Sequence, residues 1–450
     1  TAHARHVMSR AQDFGLPAVT LPPVDFALVR ARIESVIMGI RGHDSIERFC
    51  GLGAEVRFGA ARFVDEHEVV IEGEIDETAG ARRVSAARWV VATGSRPQIP
   101  AIPGLAETPH LTNREIFSLP RLPERLVVLG GGPIAVELAQ AFRRLGSQVD
   151  VIQRSGRILT RDDADMAAEV QQALEAEGVR FHLGAELTEV RGDDQRQGGQ
   201  GARGHKVVRF IQDGQAQSVS GDALLVALGR TPNVEGLGLE QAGVDFSPKG
   251  IVVDARLRTS RKHIFACGDV TGAWQFTHAA GYEAGVVVAN AIFRLPRKAD
   301  YTWMPWCTYT EPGLGGLGLN EAMAQKAGLK PGVDYRVVTE RFADNDRARA
   351  EGETGGLVKL LLDSGGKPLG VQIVGAGAGD LLGEWAAVLA GKVSLTTLAG
   401  IVHPYPTRAE SAKALAGRII AEKLFSPMVK KALHYVFGLK GRACTPVQPD

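Results

Sequence analysis

The stretch VVLGGGPIAVELAQAF, Val127 to Phe142, constrains this chain more than any other. An apolar run, RLVVL, leads into three glycines, and a helical pattern follows at once. Gly130 and Gly132 fill the first two places of G-x-G-x-x-G/A, and Ala135 fills the third. The first glycine permits a tight turn, and the second leaves the backbone bare for a pyrophosphate. The small third residue lets helix and strand pack closely. A helix beginning near Pro133 aims its unpaired N–H groups and positive dipole end at phosphate. Strand, glycine turn and helix occur in the order this motif requires. Gly130, Gly131, Gly132, Pro133, Ile134 and Ala135 are therefore candidate dinucleotide contacts in an α/β domain. The motif starts late, at residue 127, which raises the question of what precedes it.

The strand expected next, in SQVDVIQRSGR, decides which dinucleotide suits the site. NAD sites place Asp or Glu at its end, on the ribose 2′-OH. Here Asp150 lies inside the strand, and the terminal position is Gln153, followed by Arg154 and Arg157. The missing carboxylate removes a repulsion from a 2′-phosphate, and a guanidinium can bind one. The pattern favours NADPH and leaves NADH open. In the alternative, both arginines are solvated surface charges and NADH binds equally well.

The 450 residues leave room for about three domains. A formal net charge of +1 gives no global case for nucleic acid. Cys50, Cys267, Cys307 and Cys444 are far apart and form no CxxC or CxxxxC pair. That usage suits a reducing cytoplasm, and no metal site is expected. DFALVRARIESVIMGI carries Phe26, Val29, Ile33, Val36 and Ile37 near a 3.6 period, the pattern of a helix with one packed face. Short strands are expected within 55–92, a flexible Gly-rich hairpin loop over 193–205, and a hairpin in GLVKLLLDSGGKPLGVQIVG with SGGK as its turn. Helices are expected around 379–391 and 408–424.

Three further motifs flank the fingerprint: VVATGSRPQIPAIPG (90–104), LGRTPN (228–233) and FACGDVTG (265–272). In this order the set resembles the flavoprotein disulfide reductases, which include dihydrolipoamide dehydrogenase, glutathione reductase and mercuric reductase. The resemblance covers nearly the whole chain. It implies an α/β fold of interleaved FAD and NAD(P) Rossmann-like domains plus a C-terminal α+β dimerisation domain. The implied segments are 1–122 (first part of the FAD domain), 123–243 (NAD(P) domain), 244–298 (second FAD part), 299–425 (dimerisation) and 426–450 (tail). Thr93 and Gly94 then lie in the turn that passes the FAD. Gly268 and Asp269 match the second flavin motif, where the aspartate holds a ribityl hydroxyl. Glu137 matches a glutamate near the nicotinamide, and Gly229 a residue whose backbone faces NAD(P). Cys307 is expected to be a buried structural thiol.

The family carries a first GxGxxG and a redox-active CxxxxC near its N-terminus, followed by a long helix. TAHARHVMSRAQDFG resembles the continuation of that helix, and Thr1 is not preceded by Met. The expectation is a chain that starts after both motifs, as a fragment or through loss, and that binds FAD weakly at best.

HPYPTRAE (403–410) matches the family's C-terminal motif. There a histidine and a glutamate of the partner subunit in a homodimer protonate a leaving thiolate. Tyr405 stands at the histidine place and Glu410 at the glutamate place; His403 lies two residues too early. A phenol, with an ordinary pKa of about 10, shuttles protons poorly near neutrality. Tyrosine here resembles mercuric reductase, where metal moves between thiolates by ligand exchange. The tail GRACTPVQPD carries only Cys444, where mercuric reductases end in a vicinal pair. For an intact parent that carries the dithiol, the resemblance implies an enzyme passing hydride from NADPH to FAD, then to that dithiol and Hg(II) or a thiol-type acceptor; for this chain, without CxxxxC, it leaves activity open. Two alternatives stay open: a dithiol-independent quinone or small-acceptor reductase, and a non-catalytic nucleotide-binding and dimerisation module. The stretch LFSPMVKKALHYVFGLKGR is basic and amphipathic, and is expected as a packed terminal helix rather than a membrane contact.

Overall fold

A computed structural model describes residues 1–73, 82–193 and 205–438. The loop expected over 193–205, apart from its two ends, and Cys444 lie outside the described residues. The chain divides into two compact units, Thr1–Thr310 and Glu311–Asp450.

In the first unit RLVVL is the strand Arg125–Leu129. It lies inside a parallel sheet ordered Ala223–Val226, Arg125–Leu129, Gln148–Gln153, Val179–Leu183. Leu126, Val127, Val128 and Leu129 are all fully buried. Side chains on both faces of a strand are apolar when a parallel sheet is covered on both sides. Each such burial contributes roughly 1.5–3 kcal/mol. The helix Pro133–Leu145 follows the glycine turn and buries Val136, Ala139 and Phe142. Proline suits its first position because no intrahelical N–H is needed there.

Two smaller pairings place the functional turns. Trp89–Val91 runs parallel to Ile264–Ala266, with Val91 opposite Ala266. The turns after both strands, 92–94 and 267–269, therefore emerge side by side. Ser95–Pro97 then pairs antiparallel with Arg230–Pro232, Ser95 opposite Pro232. The second unit is an antiparallel sheet whose strands Gly313–Gly318, Pro368–Gly375, Leu357–Asp363 and Tyr335–Arg341 lie side by side in that order. The SGGK hairpin joins two of them, and the helices Ala378–Leu389 and Glu410–Leu424 are present.

In two helices the apolar stripe and the buried face do not coincide. The helix Phe26–Arg41 forms, but only Phe26 and Val29 of its apolar residues are buried. Phe26 packs at 6.4 Å against the ring of Phe142, whereas Val36 and Ile37, two turns further on, stay 42% and 49% exposed. Periodicity defined the apolar stripe, but only its first turn meets an apolar neighbour. The terminal stretch also forms a helix, Pro427–Phe437, yet none of its residues is buried. It is not the packed helix that its pattern suggested. Among the described residues no helix is long and apolar enough to cross a membrane.

Asp150 shows what its strand spends a carboxylate on. It is buried, its oxygens accept from Arg180 at 2.8 and 2.6 Å, and His182 Nε2 lies 3.0 Å away. Burial pushes the carboxyl up, but the bonds from Arg180 and His182 outweigh it and hold the pKa at about 2. A folded-state value below the unfolded one adds stability that is present above pH 4 or so and lost as pH falls through about 2. Asp150→Asn should lower unfolding stability by about 2 kcal/mol at neutral pH. In urea titrations the gap from the unmodified chain should narrow between pH 4 and pH 2; a gap independent of pH would rule the carboxylate out as its source.

Candidate functional site

The adjacent turns of the first unit enclose a cavity of about 580 Å³ whose lining includes Ala92, Gly94, Ile134, Arg230, Gly268 and Asp269. That volume lies in the range of small-molecule cofactor sites, and the place fits the rule that α/β sheets bind ligands beyond the carboxyl ends of their strands. Gly94 and Gly268 have φ of +69° and +76°, the left-handed region that favours glycine. Both keep the backbone bare at the cavity wall.

Polar groups around the cavity hold one another. Ser95 Oγ donates to Asp269 Oδ2 at 2.5 Å. Arg230 Nε donates to Ser95 Oγ at 2.7 Å and lies 3.5 Å from Asp269 Oδ2, while its Nη2 donates to the Ser95 carbonyl at 3.1 Å. The Thr93 hydroxyl turns to the Asn233 carbonyl at 2.8 Å, and Asn233 Nδ2 returns a bond to the Thr93 carbonyl at 2.9 Å. Thr93 thus buttresses the turn. Beneath it, the fully buried Glu283 accepts from Gly268 N–H and from the Tyr301 hydroxyl, both at 2.6 Å. A buried carboxylate with charge-assisted bonds on both oxygens fixes the turn firmly. Burial pushes the Cys267 thiol up, and Glu283 adds to the push. Cys267 is therefore a protonated thiol and a poor nucleophile. Bare glycine backbone, a fixed carboxylate and a guanidinium suit the polyhydroxyl chain and planar ring of a flavin.

The fingerprint turn is built differently at its two glycines. Gly130 has φ of +108°, and a Cβ there would stand 2.4 Å from the Ala227 carbonyl oxygen. Its N–H donates to the Ile152 carbonyl at 2.9 Å. Gly132 begins the helix with nothing within 4 Å of the place a Cβ would take. That open space is what a pyrophosphate needs. Gly131 is backed by Gln153, whose Cγ would lie 3.0 Å from an added Cβ. Ala135 is fully buried against the sheet, Pro133 is exposed, and Ile134 reaches the cavity wall. Gln153 ends its strand and Arg154 is exposed beyond it. Arg157 instead donates to the Leu159 and Thr160 carbonyls, both at 3.0 Å. That arginine shapes its own loop.

Glu137 is half-buried, and burial pushes its carboxyl up while a bond from the Tyr309 N–H, at 2.7 Å, pulls it down. Trp306 Nε1 donates at 2.7 Å to Asp162 Oδ1, and burial raises that carboxyl to about 6. Gly229 has φ of +118°, and its carbonyl accepts from Gln98 N–H at 2.9 Å.

In the second unit Tyr405 is 72% exposed and its hydroxyl donates to Asp346 Oδ2 at 3.0 Å. That bond, with the aspartate charge, pushes the phenol pKa further up. Glu410 Oε2 accepts from the Thr407 N–H at 3.1 Å, an N-terminal helix contact. His403 pairs with Glu384 at 2.9 Å. The phenol is thus associated with Asp346 rather than bonded to Glu410.

Ser95, Arg230, Glu283, Tyr301 and Asp346 were not singled out from sequence. Ser95 and Arg230 stand inside quoted motifs, directly after Gly94 and Gly229, but their meeting depends on a strand pairing across 135 residues. Among the described residues no group of three or more His, Cys, Asp or Glu could hold a metal ion. Cys307 is half-buried rather than buried.

Residues 24–284 match the family described as pyridine nucleotide-disulphide oxidoreductase, and residues 304–416 match its dimerisation domain. The mercuric reductase of Streptomyces lividans is 33% identical over 417 residues, 92% of this chain and 84% of that protein. The dihydrolipoyl dehydrogenase of Bacillus subtilis is 32% identical, over 91% of this chain and 86% of its own length. Among solved structures, the HOCl-induced flavoprotein disulfide reductase RclA from Escherichia coli aligns with a TM-score of 0.77 and 25% identity, covering 93% of this chain and 89% of that one. This chain belongs to the pyridine nucleotide-disulphide oxidoreductase family.

Proposed function

We propose that the protein is an NADPH-dependent flavoenzyme of the mercuric reductase type, working as a homodimer on Hg(II) or a thiol-bound acceptor. The observation that carries this reading is Tyr405, a phenol held by Asp346 where thiol reductases of the family need an imidazole. In this reading residues 123–243 take the nicotinamide nucleotide, and 1–122 with 244–298 take FAD. Bound flavin supplies the two-electron exchange between nicotinamide and acceptor. Gly130, Gly131, Gly132, Pro133, Ile134 and Ala135 cradle the pyrophosphate of NADPH, with Gln153 and Arg154 at its ribose. Gly229 offers its backbone on the same side, and Glu137 stands by the nicotinamide. Thr93, Gly94, Gly268 and Asp269 hold the flavin side, with Asp269 oriented by Ser95 and Arg230. In this reading Tyr405 turns its one hydroxyl proton from Asp346 to the acceptor's thiolate or metal ligand, and Glu410 supports its loop.

A second reading rests on the cysteines. Cys50, Cys267, Cys307 and Cys444 supply no CxxxxC pair, and direct reduction of a quinone needs none. In stopped-flow with the full-length flavoprotein, a long-wavelength thiolate–flavin band supports the first reading. Fast quinone turnover without that band supports the second.

NADPH should be preferred to NADH in kcat/KM; a strong NADH preference would remove the nucleotide assignment. Gln153→Glu is isosteric and adds a charge at the 2′-phosphate. It should shift the NADPH to NADH ratio toward NADH by about tenfold, a change of about 1.4 kcal/mol. Tyr405→Phe should lower Hg(II) turnover by about tenfold, the cost of one hydrogen bond to a charged group, and leave quinone turnover nearly unchanged. Equal losses on both acceptors would take the tyrosine out of the mechanism.

A further inference from the structure

The terminal helix Pro427–Phe437 has no buried residue, although most of it is apolar. Met428 is 80% exposed, Tyr435 91% and Phe437 69%. At 3.6 residues per turn, Met428, Val429, Leu433, Val436 and Phe437 share one broad face, with Tyr435 at one edge. Lys430, Lys431 and His434 form a narrow stripe opposite. Lys430 sits beside Phe437, and Lys431 beside Tyr435, so a cation flanks the apolar face on each side. Leu424 and Phe425, just before the helix, are each 57% exposed and extend the apolar surface.

The charge pattern is lopsided. Between residues 423 and 449 the sequence holds Lys423, Lys430, Lys431, Lys440 and Arg442 and no Asp or Glu, in a chain whose formal net charge is +1. The helix also lies beyond residue 416, where the match to the dimerisation domain ends.

From these observations we infer that this helix is a peripheral docking element for an anionic lipid surface. It lies in the interface with its apolar face among the acyl chains and its lysines on headgroup phosphates. A helix with basic residues on a narrow polar face and aromatic and aliphatic residues on the other has the composition of an interfacial helix. Lysines at the edges of the apolar face can reach up to phosphates while their stems stay in contact with apolar surface. A second copy of the helix is a poorer occupant. Packing two such faces together would bring flanking lysines of one copy against those of the other, with no carboxylate from either helix to offset them.

The test uses the purified protein and vesicle flotation. Vesicles of phosphatidylcholine are compared with vesicles containing one-third phosphatidylglycerol. The protein should float with the anionic vesicles, far less with the neutral ones, and be released by high salt. Lys430→Glu with Lys431→Glu should lower partitioning by about tenfold or more. Val436→Asp should lower it as well, through the apolar face. The helix is exposed, so the thermal midpoint should not move in any of these variants, which separates lost docking from lost folding. Equal partitioning on neutral and anionic vesicles, or undiminished binding by the lysine double variant, would overturn the proposal. So would conversion of a dimer to monomers by Val436→Asp without any vesicle binding, because a second copy would then be the occupant.

Discussion

The hydrogen bonds among Ser95, Arg230 and Asp269 are the junction on which the cavity depends. The three residues come from segments that are 135 and 174 positions away from Ser95 in the chain. Ser95 and Arg230 each begin a strand, and Asp269 lies three residues beyond the end of one. One serine hydroxyl donates a hydrogen bond to a carboxylate and accepts one from a guanidinium N–H, while the guanidinium and carboxylate offset each other's charge. Buried or half-buried charges are tolerable only when they are paired in this way. Glu283 and Tyr301 repeat the solution one layer lower, where a carboxylate bonds the backbone of Gly268. The result is a cavity whose wall is bare backbone at Gly94 and Gly268 and whose polar groups at Arg230 and Asp269 are already oriented. A ligand entering it does not have to order them, which lowers the cost of binding.

Much of the fold was legible in the sequence. RLVVL before three glycines, and a small residue at Ala135, could hardly form anything but a strand, tight turn and helix. The SGGK hairpin was equally plain. Pairings that join distant segments were not legible, because local pattern carries no information about partners. That is why Ser95 and Arg230 lay unnoticed within motifs that had been singled out. Burial was misjudged for the same reason. Val36 and Ile37 follow a helical period, but period shows only which residues share a face, and whether that face meets anything is a tertiary fact. The terminal helix repeats the lesson with a larger apolar face.

The second unit contributes a different kind of chemistry. A histidine placed where Tyr405 stands could exchange a proton near neutrality, whereas this phenol is pushed away from that range by its bond to Asp346. His403 is present nearby in the sequence, but it is committed to Glu384. The imidazole of this segment is therefore held two residues away from Tyr405, by a carboxylate of its own. What Tyr405 offers is an exposed ring whose hydroxyl is directed by its bond to Asp346.

The two glycines that bracket the fingerprint turn carry unequal meaning. Gly130 is required by the protein itself, since an added methyl group would run into the carbonyl of Ala227. Gly132 is not: its surroundings are open and its backbone is ordinary extended chain. In a saturation mutagenesis experiment selected only for folded protein, position 130 would therefore be intolerant and position 132 permissive. Under selection for nucleotide use, both would close. The fold itself therefore does not ask for glycine at position 132, and a comparison of the two selections would read whether something outside the polypeptide does.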